Sequence, residues 1–197
     1  MRLPSSCHQS YSVGLLVFVL HVAACAEQPR PAATEASPVE RGQYLVNIGG
    51  CNDCHSPKVF TATGPAPDTT RLLSGQPAGE PIPAVPRGVI GPRAWAALVS
   101  NHFTAWAGPW GVSFAANLTP HETGLLPWTP ELFIQTMRTG RHLGSGRQIL
   151  PPMPWYEFAK MSDSDLRAIF AYLRSLPPIN NRVPAPIPPA GPPPATP

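Results

Sequence analysis

The residues with the clearest chemistry form one pentapeptide, Cys51-Asn52-Asp53-Cys54-His55. Two thiols three residues apart can each form a thioether with a haem vinyl group, and a histidine directly after the second can ligate the iron. The pattern occurs once in the chain. We therefore predict one covalently attached haem c, held by Cys51 and Cys54, with His55 as the proximal iron ligand.

Two other sites also use the C-x-x-C spacing, namely thioredoxin-like redox pairs and zinc sites. A zinc site needs a second close pair of ligands, but the other cysteines are Cys7 and Cys25, and the later histidines are scattered singly at 102, 121 and 142. A thioredoxin-like pair needs a strand before it and a βαβ unit after it. Here a helical pattern precedes the motif and proline-rich chain follows, so the sequence favours haem.

A low-spin electron carrier needs a second strong axial ligand, and we predict Met153 in this role. It lies in Leu150-Pro151-Pro152-Met153-Pro154, where the prolines restrict the backbone and hold the thioether on a stiff loop. Met137 falls in an amphipathic helix, where a core role is the better interpretation. Met161 and one of the loop histidines are the fallback ligands. The predicted iron ligands are thus His55 and Met153, a pair that raises the reduction potential relative to two histidines.

Length and charge are those of one small domain. The 197 residues carry a formal net charge of +3, with 13% charged residues and 29 prolines. This suits one domain with extended segments. The charge is too small to indicate nucleic-acid binding, so no nucleic-acid partner is expected.

Residues 1–25 are predicted to be an export signal. Arg2 is followed by roughly a dozen apolar residues, too few to span a bilayer, which needs about 20. The run ends Val22-Ala23-Ala24-Cys25, which resembles the bacterial lipobox, so we expect Cys25 to become a lipidated N-terminus. The alternative is an ordinary signal peptidase site near Ala24 or Ala26.

The rest of the chain divides into a tether at 26–37, a haem domain at 38–178 and a proline-rich tail at 179–197. Ser37-Pro38-Val39-Glu40 is a capping box that starts a helix, with Tyr44, Leu45 and Ile48 on one apolar stripe and Gly49-Gly50 at its end. The tail is expected to form polyproline structure without a core.

Two further helices follow a long irregular stretch. Residues 56–127 are rich in Gly and Pro and show no clear strand, although a short helix is predicted at 92–98. Thr129-Pro130 opens a helix that ends at Gly140, and the last helix runs from Ser162 to Leu176. The predicted fold class is therefore all-α, with long Pro/Gly-rich loops around the haem.

Five segments resemble the class I c-type cytochromes, and more narrowly the haem domains in cytochrome subunits of periplasmic alcohol and sugar-acid dehydrogenases. They are RGxYLVxxGGCxDCHSP at 41–57, NLTPxxTGLxxWTPExF at 117–133, RTGR at 138–141, PPMPW at 151–155 and DLRAIFAYLRSLPP at 165–178. The resemblance implies a cytochrome c-like fold in which the first and last helices cross, with Tyr44 and Tyr172 near the crossing. It also implies that Trp128 and Arg138 approach the haem propionates.

The function implied is electron transfer through a haem edge, with redox proteins as partners and no small-molecule substrate. Such subunits often carry three haem domains, whereas this chain has one C-x-x-C-H motif, so the resemblance does not identify a dehydrogenase partner. A haem enzyme or gas sensor with a labile Met153 bond is the alternative from another class. Haem is attached after export in this family, so we expect the protein on the periplasmic side of a bacterial membrane, held by the lipid on Cys25.

Overall fold

A computed structural model describes residues 36–86, 88–91 and 93–189. The predicted leader, Cys25, most of the tether and the last residues of the tail lie outside the described residues. In chain order the elements are α1 Pro38–Ile48, α2 Cys51–His55, β1 Lys58–Thr61, β2 Gly64–Pro67, β3 Leu98–Val99, β4 Ala105–Gly108, β5 Gly111–Phe114, α3 Pro130–Thr139, a 3-10 turn His142–Gly144, α4 Trp155–Phe158 and α5 Asp163–Ser175.

The three predicted long helices are confirmed, and each begins at the cap that the sequence indicates. The capping box at Ser37 is complete, because its hydroxyl accepts from the Glu40 amide and the Glu40 carboxylate accepts from the Ser37 amide. Thr129 caps α3, Ser162 caps α5, and α3 ends at a left-handed Gly140.

The core joins these helices, with α1 packed on α5. Gly42 allows a close approach, since a Cβ there would lie 1.9 Å from the Ala168 carbonyl oxygen. The predicted α1 stripe is partly wrong: Leu45 is buried, but Tyr44 and Ile48 are 55% and 63% exposed. The buried apolar cluster consists of Leu45, Val46, Leu73, Leu125, Phe133, Met137, Leu166, Ile169, Phe170 and Leu173.

The all-α prediction is wrong, because the stretch between α2 and α3 forms two small antiparallel sheets. Strand β1 pairs with β2, and the order β3-β4-β5 makes the second sheet, with Ala105 opposite Phe114. The helix predicted at 92–98 is also absent: residues 93–97 form turns and an isolated bridge, and 98 begins β3. The structure is therefore mixed α and β.

Residues 179–187, which we call the C-terminal strap, run back over the loops beside the sheets. The Asn181 side chain donates to the Ser74 and Gln76 carbonyls at 2.6 and 2.9 Å. The strap ends in a bridge in which Val112 and Ile187 exchange backbone hydrogen bonds of 2.8 and 2.9 Å. Polar anchoring thus places this proline-rich segment against the folded chain. Within the described residues, no helix has the length and apolar character needed to cross a membrane.

Candidate haem-binding cavity

A cavity of about 600 Å³ lies between the helices and the second sheet. Its lining includes all four predicted haem residues: Cys51, Cys54 and His55 from α2, and Met153 from the loop before α4. The remaining wall is mostly apolar. Among the lining residues, the charged side chains belong to Asp53, Arg147 and Arg182.

The backbone around β5 sets the orientation of the His55 ring. Its Nδ1 lies 2.8 Å from the Ala116 carbonyl oxygen, so this nitrogen carries the proton and Nε2 is left free to bind a metal. The His55 carbonyl accepts from the Gly75 amide at 2.7 Å. Burial lowers the pKa of His55, with a smaller opposite effect of the bond to Ala116, and this favours the neutral imidazole that ligation needs.

The two thiols differ from those of an active redox pair. Burial raises the pKa of Cys51 to about 11 and raises that of Cys54 as well. Thioredoxin-like cysteines have lowered pKa values, because the thiolate is the nucleophile. The motif also lies between α1 and an antiparallel hairpin, which is not a βαβ setting. Both observations argue against thiol–disulfide exchange.

Met153 is held by contacts on both sides of its loop. The Ser113 hydroxyl of β5 donates to the Pro151 carbonyl at 2.5 Å. On the other side the Trp155 ring covers Gly140, where a Cβ would lie 2.4 Å from a ring atom. The thioether therefore lines the cavity from a restrained loop.

The structure separates the fallback ligands. Met161 packs against the core but does not line the cavity, and neither do His102 and His121. Met137 and His142 do line it. His142 stands edge-on to Trp128, with ring centroids 5.2 Å apart, and is the histidine that could replace Met153.

Two residues that the resemblance placed near the propionates have different surroundings. Trp128 lines the cavity. The Arg138 guanidinium instead bonds the carbonyls of Ala159 and Met161 and the Asp163 carboxylate, which ties α3 to the start of α5. Arg138 does not line the cavity, so the expectation for this residue finds no support.

Sequence reasoning missed the cavity wall formed by the strap. Arg182, Val183, Pro184 and Pro186 all line the cavity. A proline-rich tail carries no local signal for such a role, and the anchoring Asn181 is joined to residues more than a hundred positions earlier.

Comparison with known proteins adds relatives at low identity. The cytochrome c subunit of the alcohol dehydrogenase (quinone) of Gluconobacter oxydans is 25% identical over 172 residues, 87% of this chain and 28% of the relative. The fructose dehydrogenase cytochrome subunit of Gluconobacter japonicus is 24% identical over 160 residues, 81% of this chain and 25% of the relative. The gluconate 2-dehydrogenase cytochrome c subunit of Pantoea cypripedii is 27% identical over 135 residues, which are 68% of this chain and 22% of the relative. The chain resembles these cytochrome subunits. It spans about a quarter of their length. No protein-family model matches the chain.

The residues of the cavity fit the haem c of such a cytochrome. Its volume is within the roughly 300–1,000 Å³ typical of cofactor sites. Two thiols, an imidazole with a free Nε2 and a thioether line this one mostly apolar cavity. No cluster of three or more potential metal-binding His, Cys, Asp or Glu side chains occurs in the described ranges, so a zinc site has no support there.

Proposed function

We propose that this chain is a monohaem c-type cytochrome that carries single electrons. The observation that supports it best is the placement of Cys51, Cys54, His55 and Met153 around one apolar cavity. When bound, haem supplies an iron that changes by one electron between its ferric and ferrous forms. Cys51 and Cys54 would hold it covalently, and His55 and Met153 would bind its iron.

The protein's part in this function is to orient the ligands and exclude water. Ala116 fixes the imidazole by accepting from Nδ1, and Ser113 restrains the Met153 loop. The strap and the apolar lining limit solvent in the cavity. Ligation by both His55 and Met153 would hinder the binding of a further ligand, which favours an electron carrier over a haem enzyme or gas sensor.

Partners and location are part of the proposal. The relatives are cytochrome subunits of dehydrogenases, so a dehydrogenase is the proposed electron donor, and this chain would be its membrane-anchored cytochrome subunit or a separate carrier. The predicted leader and a lipid on Cys25 would hold the protein at the periplasmic surface of a bacterial membrane. Purification from native membranes would reveal a dehydrogenase that copurifies. Cys25→Ser would move the haem protein to the soluble fraction or leave the leader uncleaved. A wild-type protein that is wholly soluble, with its mature N-terminus beyond Cys25, would remove the anchor from the proposal.

The chemistry is tested by replacing Met153 in protein produced with a haem c maturation system. Met153→Ala should keep the covalent haem, lose the far-red absorption band that methionine ligation gives ferric haem, lower the reduction potential and allow carbon monoxide to bind. The matched control is Met161→Ala, which changes a methionine outside the cavity and should do none of this. The reverse pattern would assign the ligand to Met161.

A double variant tests whether His142 takes the place of the thioether when Met153 is removed. If Met153→Ala does not bind carbon monoxide because His142 has replaced the thioether, Met153→Ala/His142→Ala should bind it. Wild-type protein without covalent haem would overturn the proposed function. Wild-type protein with haem, no methionine band and rapid carbon monoxide binding would favour the gas-sensor alternative.

A further inference from the structure

Lys58 is a buried cation at the end of the helix that carries three of the proposed haem residues. It is 5% exposed. Its Nζ donates to the Asn52 carbonyl at 2.8 Å and to the Ser56 carbonyl at 2.6 Å. The last carbonyls of a helix have no partners within the helix, and a lysine that bonds them also interacts favourably with the helix dipole. Lys58 therefore closes the C-terminal end of α2.

An aromatic ring also lies near the ammonium. The Phe103 ring centroid lies 6.0 Å from Nζ. The backbone of Lys58 is held as well, because its carbonyl oxygen lies 2.9 Å from Nδ1 of His102. Within the described part of the chain, no carboxylate oxygen lies within 4.0 Å of Nζ. Carbonyl dipoles and an aromatic face are thus the direct partners of this charge.

Burial affects Lys58 as expected for such a site. It lowers the pKa of Lys58, opposed by smaller effects of Asp53 and Cys54 that raise it. A buried charge keeps more of its field than a surface charge, because solvent and salt screen it less.

We propose that Lys58 is a positioning residue for the haem: it fixes the end of α2, and with it His55, and its buried positive charge raises the reduction potential. This inference rests on the proposed function. Reduction adds one electron and so removes one positive charge from the iron. A fixed cation nearby therefore stabilises the reduced state relative to the oxidised state.

The test compares potentiometric titrations of haem-loaded wild type, Lys58→Met, Lys58→Gln and Lys58→Arg. Methionine removes the charge and the donors, glutamine removes the charge but keeps two N–H donors, and arginine keeps both. We expect each neutral variant to hold about tenfold less reduced haem at a fixed potential, a shift of about 59 mV for one electron. Lys58→Arg should stay close to wild type.

The chain provides a matched control, since its sequence contains one other lysine. Lys160 is exposed and pairs with Glu157 at 2.7 Å, whereas Lys58 is buried. Lys160→Met should leave the potential unchanged, which shows that loss of a lysine alone has no effect.

Each outcome decides the inference. Neutral variants with the potential of wild type would overturn it and leave Lys58 a helix cap only. If both neutral variants fail to accumulate haem protein while Lys58→Arg succeeds, a cation is required at this position and the positioning role is supported. If none of the three variants accumulates haem protein, including Lys58→Arg, the inference would be overturned, because a positive charge at this position would not be enough to hold α2 and His55 in place. Wild-type protein without covalent haem is a different result, because it overturns the proposed function itself.

Discussion

The helical frame, α1 with α3 and α5, and the middle region, residues 56–127, are held together by different interactions. In the frame, apolar side chains such as Val46 and Leu173 are almost completely buried against one another. In the middle region many buried side chains are polar and pair with each other, as where the Thr104 hydroxyl donates to Gln76 Oε1 at 2.7 Å. The other buried polar side chains there are Ser56, Lys58, Ser74, Ser113, Asn117 and Thr119.

This difference separates stability from site geometry. Apolar packing contributes free energy with little directional requirement, whereas hydrogen bonds fix positions and are costly when a buried group is left without a partner. The ring of His55 and the loop of Met153 are both held by groups of the middle region, Ala116 and Ser113. We therefore expect frame variants to change stability first, and variants of the middle-region segments that hold His55 and Met153 to change the haem environment as well.

The largest expected effect is at the contact of α1 with α5. Gly42→Ala puts a Cβ 1.9 Å from a carbonyl oxygen of Ala168, and two helix backbones must then separate. Overpacking of this kind costs about 3 kcal/mol or more. Urea unfolding of the haem protein should show this loss, while the folded fraction keeps the absorption spectrum of wild type.

Gly79→Ala is the control for Gly42→Ala, because a Cβ at Gly79 meets no atom within 4 Å. It should be neutral or slightly stabilising. An unchanged unfolding midpoint for Gly42→Ala would contradict the view that this close approach supports the frame.

A somewhat smaller effect is expected at Gly75, in the middle region. Its φ is +78°, and a Cβ there would lie 2.4 Å from the Ala115 carbonyl oxygen, while its amide donates to His55. Gly75→Ala should cost about 2 kcal/mol from backbone strain and crowding together. Unlike Gly42→Ala, it should also shift the haem spectrum or the potential. It would displace Gly75, which donates to the His55 carbonyl, and Ala116, whose carbonyl accepts from the His55 ring.

Gly64→Ala separates the effect of backbone strain from that of crowding. Gly64 also has a positive φ, +116°, but a Cβ there meets no atom within 4 Å. It should show the cost of strain without a spectral change. If Gly75→Ala lowers stability and leaves spectrum and potential unaltered, the distinction between frame and middle region fails.

The sequence predicts the frame because its signals are local. Ser37, Thr129 and Ser162 cap helices within a few residues of themselves, and the haem motif lies directly after the first helix. The sheets have no comparable signal, since the strands are two to four residues long and β2 contains Pro65 and Pro67, which are unusual in strands.

Long-range polar contacts account for most of what could not be predicted. The strap depends on Asn181, whose partners are far away in the sequence. A separate failure is Tyr44, which falls at helical spacing with Leu45 and Ile48 but is exposed. The prolines around Met153, a local feature, are what predicts it as a ligand. The role of Ser113 in holding its loop needed the structure.

The smallest predicted effect concerns acid and again belongs to the middle region. Asp68 follows β2, and its carboxylate accepts from the Thr70 hydroxyl at 2.6 Å, the Thr70 amide at 2.9 Å and Arg71 Nε at 2.8 Å. These bonds, with that from the Thr70 hydroxyl contributing most, lower the pKa of Asp68 from 3.8 to about 2. A carboxyl group whose pKa is lower in the folded state contributes stability above its ordinary pKa and loses it as the pH falls toward the folded value.

Wild type should therefore lose about 1 kcal/mol more stability than Asp68→Asn between about pH 5 and pH 2, because asparagine cannot be protonated in this range. Urea unfolding at several pH values measures the difference, and comparison of the two proteins cancels acid effects on the haem ligands. Glu122→Gln, a change at an exposed carboxylate in the same region, is the control and should follow wild type. Parallel pH curves for wild type and Asp68→Asn would mean that this polar cluster positions the loop after β2 without stabilising the fold.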